Sequence, residues 1–498
     1  MRILLIELPI DFWNRPGRHY LPNPGTLSVG TYLKSNGYDV RILDTYAEGM
    51  DWDSLINYIK EERPDVIGSS TYTCDIYGRV LLSRLIKQAS PSTITVFGGT
   101  HITLAPEETL RLAGSIDYAV LGEGEVTMLE LIRAIESGGN KPELSALEGI
   151  AYLDGGRYNK TTARPLVNNL DELPLPDYSL VPMAKYHNSF FPYPADQGLS
   201  ICSSRGCVAR CNFCSESVLW QHRWRGRSAK SVVEELMQLN KYYGKRAFLF
   251  NDDNFLFDRQ RNVDFIKEMS RSGLKVEFRV GARVDTLLRD RDLLKDLRRV
   301  GLTALQIGIE SYGQGDLDAL NKDYREEQIR ELSFYLKSIH IPMAIAFVIV
   351  GNREDGKKTL REIIKRTKSC GFGMLHISPL TPWPGTRLYR DMEAEGLIKV
   401  NDYRLYNFKN AIMPTKYLGL SALDKLRVFL FVRWWFSFTI LARNLADRHR
   451  RNYFIRALLP AAFSSIQYYV SQKLGLWKLY RHNRMIERIY NEHLALRK

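Results

Sequence analysis

Cysteine is scarce: six residues in a chain of 498, too few to staple a scaffold of this size with disulfides. Three of the six crowd into positions 207–214, while Cys74, Cys202 and Cys370 stand apart. That distribution suits a reducing cytoplasm and a metal site. An export signal is lacking too. The run Met1–Leu8 is short, interrupted by Glu7 and followed by Pro9, and it reads as a first β-strand. There is no fixed-period repeat and no low-complexity tract, which removes solenoids. Apolar residues make up 45% and charged residues 25%, so the chain can bury a core and disorder is excluded. Its length suggests about three domains.

Acidic residues are sparse only at one end. From Leu420 to Lys498 there are 15 Lys and Arg against 4 Asp and Glu, which accounts for most of the formal net charge of +14. Whatever the basic character binds, it belongs to the tail.

What is present is alternation. Residues 1–140 alternate short apolar strands (3–8, 40–43, 66–70, 94–97, 118–121) with helical stretches. This pattern predicts a Rossmann-like parallel sheet covered on both faces. The loops at the carboxyl ends of its strands would form a ligand crevice. They carry Ser69, Ser70 and Thr71, then Gly98, Gly99 and His101, then Gly122, Glu123 and Glu125. Residues 141–197 read as a connector, Pro-rich around 170–177. A second alternation over 198–410 predicts six βα units, with strands at 198–203, 247–251, 275–280, 304–308, 343–350 and 376–380. Six units call for a partial or full βα barrel. Residues 411–498 read as a basic, aromatic-rich helical C-terminal domain, with helical stretches at 423–445 and 454–470.

The cysteine run follows the first barrel strand: Cys207, Cys211 and Cys214, spaced by three residues and then two, with Phe213 before the last. Three thiolates can bind three irons of a four-iron cube and leave the fourth open. A structural zinc site would want four ligands, usually from two paired clusters, and no second cluster occurs.

This run resembles the signature of the radical S-adenosylmethionine superfamily. The order of features before it resembles the cobalamin (B12)-binding branch of that superfamily. The resemblance covers residues 1 to about 410. It implies an N-terminal B12-binding domain, a radical S-adenosylmethionine barrel, a [4Fe–4S] cluster on Cys207, Cys211 and Cys214, and cobalamin. It further implies reductive cleavage of S-adenosylmethionine to a 5′-deoxyadenosyl radical, with Phe213, Asp252, Asp253, Arg283 and Glu310 binding S-adenosylmethionine. Each of those charges could instead be a satisfied group at a strand end. Ser69, Ser70, Thr71, Gly98, Gly99, His101, Gly122, Glu123 and Glu125 would meet cobalamin. The Asp-x-His-x-x-Gly cobalt-ligating motif is absent, the loop reading Thr73-Cys-Asp-Ile-Tyr-Gly78. His101 is then a loop histidine beside the corrin or its nucleotide tail. The turn common in relatives near 350 is also missing here, where Val350-Gly-Asn-Arg-Glu-Asp355 stands instead.

The resemblance implies an anaerobic transferase, a methyltransferase on an unactivated carbon. The alternatives are a radical cyclase, ring-contracting or carbon–carbon bond-forming enzyme, or a non-catalytic sensor. Flavodoxin or ferredoxin would donate electrons. The aromatic, cationic tail reads either as an interfacial helix on anionic lipid or as a cap on the barrel. Arg427 and Arg433 argue against a spanning helix, and no nucleic-acid module is visible.

Overall fold

The computed structural model describes residues 1–8, 21–138, 144–186, 198–448, 450–452, 454–455 and 484–497. They fall into two units: one from Met1–Tyr186 with Asn401–Arg404 and the helix Arg484–Leu496, the other from the described residues of 198–400 and 405–455.

The first unit is a seven-stranded sheet. Strands β1 (Arg2–Glu7), β2 (Asp39–Asp44), β3 (Val66–Ser70), β4 (Ile94–Gly98) and β5 (Tyr118–Val120) pair in parallel in the order β2-β1-β3-β4-β5. Their apolar side chains are buried, as a sheet covered by helices requires: Ile3, Leu5, Val66, Val96 and Val120 join Leu129, Leu131 and Ile132 in one core. The order reverses at β1 and β3, the switch point where α/β sheets bind ligands. The sequence placed only a connector after residue 140. The structure adds a hairpin there, β6 (Ile150–Asp154) and β7 (Arg157–Lys160), extending the sheet antiparallel. Its turn is Gly155-Gly156, both with positive φ.

Buried charge organises the switch point. Arg79 is wholly buried. It donates to Asp75 at 3.0 Å, Glu7 at 3.3 Å and the Ser69 hydroxyl at 2.7 Å, and to the carbonyls of Ile6 and Leu8. One guanidinium thus ties the carboxyl ends of β1 and β3 together. Burial pushes the carboxyls of Glu7 and Asp75 up, and the Arg79 charge opposes that.

The helix Arg484–Leu496 packs on this unit's helices Ile76–Ala89 and Pro106–Ala113. His493 is fully buried: Nδ1 lies 2.8 Å from the Tyr77 hydroxyl, and Nε2 meets the Glu108 carboxylate. Tyr403 packs against both His493 and His101, with ring centroids 4.9 and 5.1 Å apart.

The second unit is a six-stranded, all-parallel sheet: β8 (Gly198–Ile201), β11 (Ala247–Phe250), β12 (Glu277–Arg283), β13 (Leu302–Glu310), β14 (Met343–Val350) and β15 (Met374–Pro379), in sequential order from one edge to the other. This is the partial (βα)6 barrel that the alternation predicts, open between β8 and β15. Caps and stops match the sequence. Ser228 and Asp258 accept from helix N-termini, and Gly244, Gly273 and Gly371 end helices in the left-handed conformation. Between β12 and β13 the chain forms short pieces, the helices Val284–Arg289 and Leu294–Arg299.

In the tail, helix Leu420–Trp435 buries Leu423, Arg427, Leu430, Trp434 and Trp435 against β15 and the helix Lys357–Cys370. One arginine is therefore inside the contact, with Nη2 of Arg427 donating to the Lys409 carbonyl at 2.6 Å. Helix Phe438–Ala446 follows. The predicted helix 454–470 lies almost wholly outside the described residues. Among the described residues, no helix is long and apolar enough to cross a membrane.

Replacing Arg79 by Ala strands two buried carboxyls. The first unit should lose about 3 to 5 kcal/mol, read as a lowered midpoint in urea denaturation followed by a probe in residues 1–186.

Candidate functional site

β8 ends at Ile201, and the chain turns into a loop whose path is set by acidic residues at the end of β11. Asp252 accepts from the Ser203 amide at 2.8 Å and from the hydroxyls of Ser203 and Ser204 at 2.5 and 2.6 Å. Asp253 accepts from the Gly206 amide at 3.1 Å. Arg261 adds contacts to the Ser203 carbonyl and hydroxyl. A two-residue ladder, β9 (Ser204–Arg205) with β10 (Arg225–Gly226), then closes the loop at its neck.

Gly206 sits at that neck with φ +87°. A Cβ there would fall 2.1 Å from the Arg223 carbonyl and 2.8 Å from Trp220 Cβ, so only glycine fits.

The three cysteines lie within this loop as free thiols, Cys207 and Cys211 buried and Cys214 partly so, packed with Ala209 and Phe213. The loop's far side is tied down by Asn212, whose side chain donates to the Ala319 carbonyl at 2.6 Å, and by Asn321, which donates to the Arg210 carbonyl at 2.6 Å. Burial pushes the Cys207 thiol up, and it pushes Cys214 up to about 12 with Glu216 adding to the effect. Ligating iron as thiolates would therefore release protons. Among the described residues no three His, Cys, Asp or Glu are arranged to hold a single ion. A four-iron cube takes one thiolate per iron and does not need that. Three free thiols on one anchored loop, with a guanidinium on Cys211, fit such a cluster.

Around the cysteines the structure brings together the remaining residues expected here. Glu310 ends β13 in the left-handed region at φ +59°, beside a register shift in its pairing with β14. Such strain in a non-glycine residue is typical of functional sites. Its carboxylate meets Lys322 Nζ at 2.9 Å. Lys322 lies 5.4 Å from the centre of the Phe213 ring. Burial disfavours its charge, but Glu310 outweighs this and the ammonium is held above its usual range. Arg283 ends β12 and points Nη1 at Cys211 Sγ, 3.7 Å away. Asp252 has both oxygens on the loop rather than turned outward. Burial pushes Asp253 well up, with the charges of Glu216 and Asp252 adding to it.

Sequence reasoning missed Lys322, Gly206, Arg261 and Glu216. Glu216 had a visible signal, standing two residues after the last cysteine. Lys322 had none, because it is one cation among many on a loop.

In the first unit, Thr71 links β3 to β4. Its amide and hydroxyl donate to the Gly98 carbonyl at 2.8 Å each, while its carbonyl and hydroxyl accept from His101 N and Ile102 N. Ser69 donates to the Ile6 carbonyl at 2.7 Å, bridging β3 to β1. Gly99 has φ +96°, and a Cβ would fall 2.6 Å from Thr71 N and 2.7 Å from the Ser70 hydroxyl. Gly122 also has positive φ, and its amide donates to Thr103. Glu123 and Glu125 are buried and brace their surroundings: Glu123 accepts from Val167 N at 2.7 Å and Glu125 from the Ser28 hydroxyl at 2.6 Å. His101 is 1% exposed and shares a 3.1 Å hydrogen bond with Thr73. The small, partly exposed residues Ser70, Gly98, Gly99 and Gly122 at these strand ends leave room for a close backbone approach, which fits a corrin or its nucleotide tail.

Two known families match parts of the chain: the B12 binding domain over residues 17–132 and the Radical SAM superfamily over residues 201–367. An uncharacterized methyltransferase of Pyrococcus horikoshii is 29% identical over 449 residues, 90% of this chain and 95% of its own. An anaerobic magnesium-protoporphyrin IX monomethyl ester cyclase of Rubrivivax gelatinosus is 29% identical over 453 residues, 90% of this chain and 80% of its own. Among solved structures, the cobalamin-dependent S-adenosylmethionine radical enzyme OxsB, with aqua-cobalamin and S-adenosylmethionine bound, superposes with a TM-score of 0.71 at 17% identity, over 99% of this chain and 79% of that one. At that identity the likeness shows the fold.

Two outcomes follow from this geometry. Gly206→Ala should cut iron retained after anaerobic reconstitution at least tenfold, measured per folded chain, because the neck cannot close. His101, lowered to about 4 by burial with His493 adding to it and Glu108 opposing, stays neutral when folded. An unfolded chain takes up that proton near pH 6.5, so the His101 contribution is present above that value. It is lost as pH falls toward 4, by roughly 3 kcal/mol. Denaturation midpoints from pH 7 to 4.5 should fall for the native chain and fall less for His101→Asn.

Proposed function

We propose that this chain, which belongs to the radical S-adenosylmethionine enzymes that carry a B12-binding domain, is a methyltransferase acting on an unactivated carbon of a hydrophobic substrate. The observation that carries the reading is the presence in one chain of an anchored three-cysteine loop ringed by buried charge and a Rossmann-like unit with small residues at its switch point. When bound, the cluster supplies the electron that cleaves S-adenosylmethionine, and cobalamin supplies a methyl carrier.

The chain's own residues do the placing. Cys207, Cys211 and Cys214 would each hold one iron. The Glu310 carboxylate, already fixed by Lys322, is suited to accept from ribose hydroxyls, and Phe213 beside it offers a face to adenine. Ser70, Gly98, Gly99 and Gly122 would admit cobalamin at the first sheet, with Thr71 and His101 holding the shape of the crevice. No histidine comes from the loop 73–78, so a cobalt ligand from that loop is not part of the reading.

A hydrophobic substrate is supported by exposed Phe429, Phe436 and Phe438 beside exposed Lys425 and Arg433 on the tail helices, a composition suited to the rim of a lipid surface. Flavodoxin or ferredoxin would supply electrons.

The Rubrivivax relative favours a second reading, radical cyclisation of a tetrapyrrole, because its identity and coverage of this chain equal those of the methyltransferase relative. Product counting separates the two. Anaerobic enzyme loaded with iron, sulfide and cobalamin is given reductant, S-adenosylmethionine and a lipid or tetrapyrrole extract. Methyl transfer is expected to yield S-adenosylhomocysteine and 5′-deoxyadenosine in equal amounts, with a product heavier by one methylene. A product with no added carbon and no S-adenosylhomocysteine would overturn methyl transfer and leave the cyclase. Absence of 5′-deoxyadenosine would overturn both.

A further inference from the structure

We infer that Arg283 is a positioning residue for the cysteine loop that holds the Cys211 sulfur by a charged hydrogen bond and thereby sets the reduction potential of the cluster. The inference rests on the reading of Cys207, Cys211 and Cys214 as cluster ligands.

The guanidinium of Arg283 is oriented before any ligand arrives. Asp285 takes one edge of it, with Nε at 2.9 Å and Nη2 at 3.1 Å. Asp323 also accepts from Nη2, at 3.3 Å. A fork gripped along one edge must present its remaining nitrogen in a fixed direction. That nitrogen is Nη1, and it meets Cys211 Sγ at 3.7 Å. Arg283 is only 8% exposed, so the contact is made where water screens little. Its two carboxylate partners are better solvated: the Asp285 side chain is 35% exposed and that of Asp323 67%. The cation is therefore incompletely neutralised on the side that faces the sulfur.

The consequence is electrostatic. A cluster held by three thiolates gains negative charge when it takes an electron. A nearby cation with an N–H donor on one sulfur favours the reduced form over the oxidised form, and hydrogen bonds to the sulfurs are among the terms that set such potentials. Arg283 thus acts through Cys211. The S-adenosylmethionine contact expected of Arg283 from the sequence is a different role, because it would leave the potential of the substrate-free cluster untouched.

Two variants test the inference in opposite directions, using the reconstituted full chain without S-adenosylmethionine and a redox titration followed by electron paramagnetic resonance. Arg283→Gln is expected to shift the one-electron reduction equilibrium at least tenfold toward the oxidised form, about 59 mV more negative. Asp323→Asn removes a competing carboxylate and is expected to shift the potential the other way. If Arg283→Gln holds no cluster, the sign of the Asp323→Asn shift alone decides. Potentials equal to the native value in both variants would overturn the inference, as would Arg283→Gln weakening only S-adenosylmethionine binding. A native chain that binds no iron would overturn the cluster reading itself, a result distinct from an intact cluster with an unmoved potential.

Discussion

Asp252 commits both carboxylate oxygens to the turn that leads out of β8, and the second unit's chemistry hangs from that commitment. A buried carboxylate must be matched by donors, and here the donors are consecutive positions of the loop itself, Ser203 and Ser204. Ser203 also receives Arg261, so the turn is held between an anion and a cation. Asp253 extends the grip one step to Gly206, where the absent Cβ lets the loop close on Arg223 and Trp220. The path of the cysteine loop is therefore set at its start by two carboxylates just past the end of β11 and on its far side by Asn212 and Asn321, and the cysteines pack together within that frame.

A second constraint is the density of buried charge around that loop. Glu310, Lys322, Arg283, Asp253 and Glu216 all lie in low-dielectric surroundings. Pairing makes charge tolerable for Glu310 with Lys322 and for Arg283 with Asp285, whereas burial pushes the carboxyls of Asp253 and Glu216 up instead. The Glu310–Lys322 pair carries in addition a left-handed residue at a bulged strand end. Stability alone would favour an apolar filling, so the concentration of ions and strain at one strand end marks a site shaped for charged ligands.

Much of this was legible in the sequence, for identifiable reasons. The parallel strands announce themselves because burial on both faces demands unbroken apolar runs, as at 3–6 and 343–350. The cysteine loop announces itself by spacing. The hairpin at 150–160 did not, because its strands are short and half-exposed with neither an apolar run nor a period of two, and its only clear mark is Gly155-Gly156. Asp252 was picked out as a residue of the site, yet its role in holding Ser203 and Ser204 depends on a pairing 49 residues apart that no local pattern encodes. Lys322 reaches Phe213 and Glu310 only because the loop after β13 folds back over the cysteines. The tail's composition suggested a lipid surface or a cap. The structure shows the cap for helix Leu420–Trp435, with Arg427 inside the contact and not on its wet side. The helix Arg484–Leu496 joins the first unit through His493, which meets Glu108 from 385 positions away, and nothing local in the sequence marks that.

That last contact has a meaning for the life of the chain on the ribosome. At synthesis rates of roughly 5 to 20 residues per second, the 385 positions between Glu108 and His493 take about 20 to 80 seconds to make. From the completion of β7 until residue 403 is made, the nascent first unit has its sheet but neither Tyr403 nor its last helix, leaving Tyr77 and His101 without the rings that later pack on them. The N-terminal unit is begun first and finished last. The second unit is synthesised entirely inside that delay.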